Sequence, residues 1–266
     1  MFDTKVAKFG AFTGGGGVNA DRETGIFSDL GIPDPSNYAM YANDFFTYAA
    51  GDFTITTVTS GSPTQALTAA NYGVLAITNT TGTTDSTSMQ LKAAPFLLQT
   101  SYRAWGKFVA KVSSTAAGLY LGLVNTSTTP SASTTDGIYL SSTGTAITLG
   151  IVANSGTPQT LTASTGGVPT LVAGSYFTFQ WYYDGAVYSA GGQTGPQYGR
   201  VVFELKGAGV SANYRGEIAC GSTFPYTTLL NPTWEYTNTT GIASVLDLDY
   251  VGVFADRSNS LATPAF

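Results

Sequence analysis

The stretch Tyr176-Phe-Thr-Phe-Gln-Trp-Tyr-Tyr183 decides the fold. Successive side chains of an extended chain point to opposite faces, so Phe177, Phe179, Trp181 and Tyr183 share one side and Thr178 and Gln180 the other. Aromatic residues in that alternation fit a pleated, half-buried surface. The run is a strand with one face in a core, and Trp181 belongs to that core with Phe177 and Phe179. Asp184-Gly185 follows and reads as a hairpin turn, since glycine takes positive φ at little cost. Beyond it, Arg200 to Lys206 alternates Val201, Phe203 and Leu205 with Val202, Glu204 and Lys206.

The same reading extends outward. Asp52 to Val58, Gly118 to Val124, Gly137 to Leu140 and Ala146 to Ala153 are short runs rich in Val, Ile, Leu, Thr and Tyr, divided by Ser, Thr, Gly and Asn. Val74 to Thr78 and Ser88 to Lys92 read as neighbouring strands. Arg103 to Val112 puts Ala104, Phe108, Ala110 and Val112 on one side and Arg103, Trp105, Lys107 and Lys111 on the other. Ala243 to Phe254 closes the series, with Leu246, Leu248 and Tyr250 set against Asp247, Asp249 and Val251. No internal repeat and no strong helix interrupts it. About a dozen strands at this spacing predict an all-β, two-sheet antiparallel jelly-roll sandwich. The sandwich is placed at residues 44–257, preceded by an irregular, Gly- and Phe-rich extended arm at 1–43 and followed by a tail at 258–266.

Charge is scarce. Asp, Glu, Lys and Arg make up 10% of the 266 residues, histidine is absent, and the formal net charge is −5; an average soluble domain has about a quarter of its residues charged. Between Val112 and Gly199 the only charged side chains are Asp136 and Asp184. The surface is therefore built of Ser, Thr, Gly, Asn, Gln and Tyr, groups that another surface can cover at little desolvation cost. An acidic chain without a basic patch is a poor ligand for phosphate backbones, and no stretch reaches the ~20 apolar residues of a membrane helix. The N-terminus lacks the apolar core of a secretory signal, so the expectation is synthesis in a cytoplasm, and Asn79-Thr-Thr, Asn125-Thr-Ser and Asn238-Thr-Thr are chance matches to the glycosylation pattern.

Candidate chemistry narrows in the same way. A Ser or Cys nucleophile activated by histidine is excluded, as is a zinc site using histidine. The single Cys220 reads as a free structural thiol. Gly14 to Gly17 lacks the Gly-Lys-Ser/Thr ending of a phosphate loop and reads as linker. Glycoside hydrolysis needs two spaced carboxyl groups, for which Glu204, Glu217, Glu235, Asp247 and Asp249 are available. Asp247 and Asp249 sit two apart, on one face of the same strand, and read as solvated acids on an outer strand. No dense Asp/Asn loop suggests a calcium cage. The expectation is a protein without catalytic residues, cofactor or metal. Among the tryptophans, Trp105 lies on the cationic side of its strand and is expected to be exposed, as a contact to another subunit or to a sugar.

The order Asp44-Phe-Phe…Asp52-Phe-Thr-Ile, Gly118-Leu-Tyr-Leu-Gly-Leu-Val124, Thr135-Asp-Gly-Ile-Tyr139, the aromatic strand, then Leu246-Asp-Leu-Asp-Tyr-Val-Gly-Val-Phe254 with Arg257 resembles the concanavalin A-like (laminin G-like) jelly rolls found among structural proteins of tailed bacteriophages. That resemblance spans roughly residues 44–257, through patterns of glycine, aromatic and aliphatic residues. It implies a non-enzymatic virion protein, a capsid decoration or cement protein on the outside of the head. The partners would be the major capsid protein and further copies of the chain, as a homotrimer at quasi-three-fold sites. Phe2, Phe9 and Phe12 of the arm, with Trp105, would then be the capsid or subunit contacts. The alternative is a carbohydrate-binding receptor or fibre module on the same fold, gripping glycans with Tyr, Trp and Asn.

Overall fold

The computed structural model describes residues 38–58, 62–68, 73–99, 102–185, 199–220, 224–239 and 241–256. Its strands are β1 (Tyr38–Asn43), β2 (Phe53–Val58), β3 (Thr64–Leu67), β4 (Leu75–Asn79), β5 (Ser86–Leu91), β6 (Phe96–Leu97), β7 (Arg103–Val112) and β8 (Gly118–Val124). They continue with β9 (Gly137–Thr143), β10 (Ala146–Val152), β11 (Gln159–Leu161), β12 (Tyr176–Asp184), β13 (Arg200–Lys206), β14 (Tyr214–Ala219), β15 (Leu229–Thr237) and β16 (Ser244–Asp256). The described helices are single turns, α1 (Pro130–Ser133), α2 (Ala163–Gly166) and a 3-10 turn at Ala50–Asp52.

Two eight-stranded antiparallel sheets result. Sheet I runs β14-β13-β12-β7-β16-β4-β3, with β1 also paired to β16; sheet II runs β11-β10-β9-β8-β15-β5-β2, with β6 also paired to β15. This is the jelly-roll sandwich the alternation predicts. Phe177, Phe179, Trp181 and Tyr183 point inward from β12 and are buried beside Phe108 of β7 and Phe203 of β13. From the facing sheet, Leu121, Leu140, Leu149, Trp234 and Tyr236 close the same core. Cys220 is free and buried, and loss of solvation pushes its thiol pKa up, in keeping with a structural role.

Several expectations need correction. β12 and β13 do form an antiparallel pair, but Asp184 lies opposite Arg200. The connection thus spans Gly185 to Gly199 rather than a two-residue turn, and most of it falls outside the described residues. Val74–Thr78 and Ser88–Lys92 are not neighbours in one sheet: β4 lies in sheet I and β5 in sheet II. β16 is no outer strand but sits between β7 and β4. Its register shifts between Leu248 and Tyr250, so a bulge resets the alternation: Leu246 and Leu248 point inward before it, Val251 and Val253 after it. Tyr250, grouped with the leucines from the sequence, is on the other face. β1 pairs with β16 although its residues read as part of the arm; Arg257 and residues 258–266 lie outside the description.

Candidate functional site

The sequence-derived contact residues divide sharply. Phe2, Phe9 and Phe12 lie outside the described residues. Trp105 is not exposed: 6% of its surface reaches solvent, and its ring stacks on Phe254 at 5.6 Å with 12° between planes. The cause is register. Trp105 stands directly opposite Phe254 on β16 and Tyr182 on β12, so an outward-facing indole is walled in by its cross-strand neighbours. Trp181 and Trp234 are buried in the core as well.

The outer faces of the two sheets differ in chemistry. Sheet I collects the charge: Lys111 pairs with Asp247 at 2.7 Å, Lys206 with Glu204 at 2.8 Å and Arg200 with Glu217 at 3.1 Å. Lys111 also lies over the Tyr176 ring and Lys107 over the Tyr250 ring. The hydrogen bond that the Lys111 ammonium donates to Asp247 holds it above its ordinary pKa, whereas burial lowers that of Lys107. Asp249 is exposed at the bulge of β16; desolvation, with Asp44 nearby, raises its pKa.

Sheet II presents an almost uncharged outer face. Register sets Thr54, Gln90, Thr233, Gly122, Tyr139, Gly150 and Thr160 in one row across seven strands. The next row is Thr56, Ser88, Glu235, Tyr120, Ser141 and Thr148. Hydroxyl, amide, glycine and phenol groups thus tile the face, and Glu235 is the one charged member of these two rows. Tyr139 is laid flat there because its neighbours lack side chains. A Cβ on Gly150 would come within 2.5 Å of Tyr139 Cζ, and one on Gly122 within 3.0 Å of Tyr139 Cβ. Tyr139 stacks on Tyr120 at 5.2 Å, and the two rings with Val124 and Val152 form a small apolar cluster separate from the main core. Burial raises both phenol pKa values, so the hydroxyls remain protonated donors at neutral pH.

Beside this platform the chain from Asn125 to Thr135, α1 included, crosses the outer face as a strap. Glu235 accepts from the Ser131 amide at 2.8 Å and the Ser131 hydroxyl at 2.9 Å, and also from the hydroxyls of Ser86 at 3.0 Å and Thr237 at 3.2 Å. Gln90 donates to the Asn125 carbonyl and accepts from the Ser127 amide. Asn231 donates to Thr126, Ser88 donates to the Thr128 carbonyl, and Tyr120 donates to Thr134. At its base, Asn125 Oδ1 accepts from the amides of Thr135 and Asp136, while Asp136 accepts from the Asn154 amide.

The five acids available for hydrolysis are mostly engaged by other groups. Glu204, Glu217 and Asp247 are ion-paired on sheet I, Asp249 shares that side, and Glu235 is enclosed on sheet II by four donated hydrogen bonds. Asn79 and Asn238 are buried, the former bonded to the Tyr236 carbonyl, which accords with reading their Thr-rich motifs as coincidence. Sequence reasoning passed over Gln90 and the strap, and weighed Glu235 only as a hydrolytic acid and Tyr139 only as part of a fold motif. A usable signal was present in Ser86-x-Ser88-x-Gln90 and Asn231-x-Thr233-x-Glu235-x-Thr237, where polar groups recur with the period of a strand.

No protein-family model matches the chain, and no curated protein matches it in sequence. Solved structures do. One is a protein of unknown function from Shewanella oneidensis MR-1, at 13% identity over 93% of this chain and 99% of that one, with a TM-score of 0.55. A second is the seed lectin of Lotus tetragonolobus, at 10% identity over 82% and 98% with a TM-score of 0.54. The third is the winged bean acidic lectin in complex with methyl-α-D-galactose, at 11% identity over 82% and 98% with a TM-score of 0.54. At such identities the likeness is one of architecture: this chain has the concanavalin A-like jelly-roll fold.

Proposed function

We propose that the protein is a non-catalytic carbohydrate-binding module that uses the outer face of sheet II. The observation that carries this reading is the tiling of that face by neutral hydrogen-bonding groups around a tyrosine ring laid over Gly150. A saccharide presents hydroxyls that both donate and accept, and a C–H face that rests on an aromatic ring. Half-buried Ser141 and Thr148 offer the hydroxyls and Tyr139, 9% exposed at the outer face, the ring edge and phenol, and charge, which would have to be desolvated, is absent from that part of the face. The winged bean lectin, which shares the fold and is complexed with a galactoside, supports the class of ligand. Ion pairing of Glu204, Glu217 and Asp247 and the four hydrogen bonds to Glu235 support binding without hydrolysis, since cleavage needs two available carboxyl groups flanking one bond. The test is a glycan array probed with the full chain and with Tyr139→Ala, each checked for a native circular dichroism spectrum. Retention of saccharides by the first and its loss in the second is expected; no retained glycan on any feature overturns the reading.

A second reading, a virion structural protein lodged on a capsid, is favoured by one observation. Edge strand β2, Phe53-Thr-Ile-Thr-Thr-Val58, bears no charge or proline, and Val58 is 48% exposed. Such an edge is open to pairing with a neighbour unless something covers it. Location of the protein on a reconstructed particle would decide for that role, and an array positive with no particle association would decide against it.

A further inference from the structure

The strap Asn125–Thr135 is fastened to sheet II with the same chemistry that the proposed ligand would use. Of the strap's described contacts to the strands beneath, those from Glu235, Gln90, Asn231, Ser88 and Tyr120 are all hydrogen bonds, and the groups they meet on the strap are hydroxyls and peptide groups. Pro130 is its buried apolar residue; Thr126, Thr128, Thr129, Ser131 and Ser133 are exposed. The floor is also incompletely satisfied with the strap in place. Asn231, 1% exposed, donates through Nδ2 to Thr126, but its Oδ1 is buried and has no hydrogen-bond partner. An unbonded buried acceptor is a cost that a different partner could remove.

We infer that the strap is a displaceable polar lid over an extension of the saccharide face, and that its Ser and Thr hydroxyls stand where ligand hydroxyls bind when it opens. The floor of that extension is Gln90, Asn231, Thr233 and Glu235, contiguous through register with Gly122, Tyr120 and Tyr139. The ligand class is a neutral polyhydroxy chain long enough to run from Tyr139 to Asn231, with Glu235 and Asn231 Oδ1 accepting from it. This inference rests on the carbohydrate-binding reading for its ligand, but the opening of the strap does not.

The experiment has two arms on the full chain. Hydrogen exchange reads the Ser127 and Ser131 amides against those of β15. Local opening is expected, with the strap amides exchanging faster than β15 and faster still in Ser131→Ala, which removes one bond to Glu235 and leaves the floor intact. The second arm titrates galacto-, malto- and chito-oligosaccharides. If the closed strap competes with ligand, losing one hydrogen bond of its latch raises the open fraction, and apparent affinity rises about fivefold in Ser131→Ala. Asn231→Leu in the same background should cancel that gain. Strap amides that exchange only with β15 overturn the lid whether or not any sugar binds. Equal or weaker binding by Ser131→Ala, with faster strap exchange, overturns the competition while leaving the carbohydrate reading intact. Binding of none of these sugars by either variant, with faster strap exchange, overturns the proposed ligand of the lid, while the carbohydrate reading itself falls only with an empty glycan array.

Discussion

Replacing Gly150 by alanine tests the contact on which the candidate site is built. The added Cβ would stand 2.5 Å from Tyr139 Cζ, 2.7 Å from its hydroxyl and 3.0 Å from Cε1, all inside van der Waals contact. The ring has little room to yield, because it is stacked on Tyr120 and enclosed with Val124 and Val152. Overpacking of this kind costs about 1–3 kcal/mol. Alanine otherwise stabilises an ordinary extended position by ~0.4–1 kcal/mol, through the unfolded chain. In a Tyr139→Ala background the obstruction is gone and only the second effect remains, so the same substitution should become neutral or favourable. The two positions are then coupled by about 2 kcal/mol, within the range found for contacting residues. Urea unfolding of the four proteins of the cycle, followed by circular dichroism and extrapolated linearly, measures it. A cost for Gly150→Ala that is unchanged by removal of Tyr139 would show that the ring does not lie over Gly150, and the platform would go with it.

Trp105→Ala should destabilise the fold by about 3–5 kcal/mol, as expected for a buried aromatic, and leave the oligomeric state by light scattering unchanged; a shift in association at unaltered stability would restore it as a contact residue. Phe46, 67% exposed, should be replaceable by alanine within ~0.5 kcal/mol in urea unfolding. Alkaline pH should weaken the fold. Burial pushes Tyr41 up to about 12 and also raises Tyr120 and Tyr183, so the unfolded chain gives up these protons first. Their contribution is complete below pH 10 and is lost as pH climbs toward the folded values, by up to about 1.4 kcal/mol per pH unit and tyrosine. Lys111, raised by Asp247, adds loss in the same direction, while Lys107, lowered by burial, opposes it. A urea midpoint no lower at pH 11 than at pH 9 would contradict the burial of these phenols.

What the sequence disclosed followed from local periodicity. β12 was legible because its two faces differ at every step, and β13 because Val201, Phe203 and Leu205 repeat with the same period. What it concealed depended on which strand lies beside which. Trp105 is buried by Phe254, far along the chain, and nothing near residue 105 announces that partner. β16 was misread after Leu248 because one bulged residue inverts every later side chain, placing Val251 rather than Tyr250 inside. The Ser/Thr run of the strap reads as a loop, which it is. Its attachment to Gln90, Asn231 and Glu235 arises only once β5 and β15 are brought together in sheet II.

The scarcity of charge, read from composition as a property of the whole surface, is in the folded chain a property of one side. Ion pairs such as Lys111–Asp247 and Lys206–Glu204 dress the outer face of sheet I, where they keep an ordinary hydrated surface. Among the described residues sheet II has no equivalent, and its lone carboxylate in the central rows, Glu235, is bound by four protein donors. Composition alone would make every face equally fit for a covering partner. Segregation makes one face fit and the other unfit, because covering sheet I would strip water from charges that its own pairs only partly compensate. A partner of either chemistry, saccharide or protein, would strip less charge of water on sheet II than on sheet I, and the two would differ in what they require there. A protein partner needs on the order of 800 Å² of matching surface on each side and gains nothing from a displaceable strap. On the proposed reading a saccharide would meet the Tyr139 ring and, with the strap open, acceptors on Gln90, Asn231 and Glu235 in neighbouring rows.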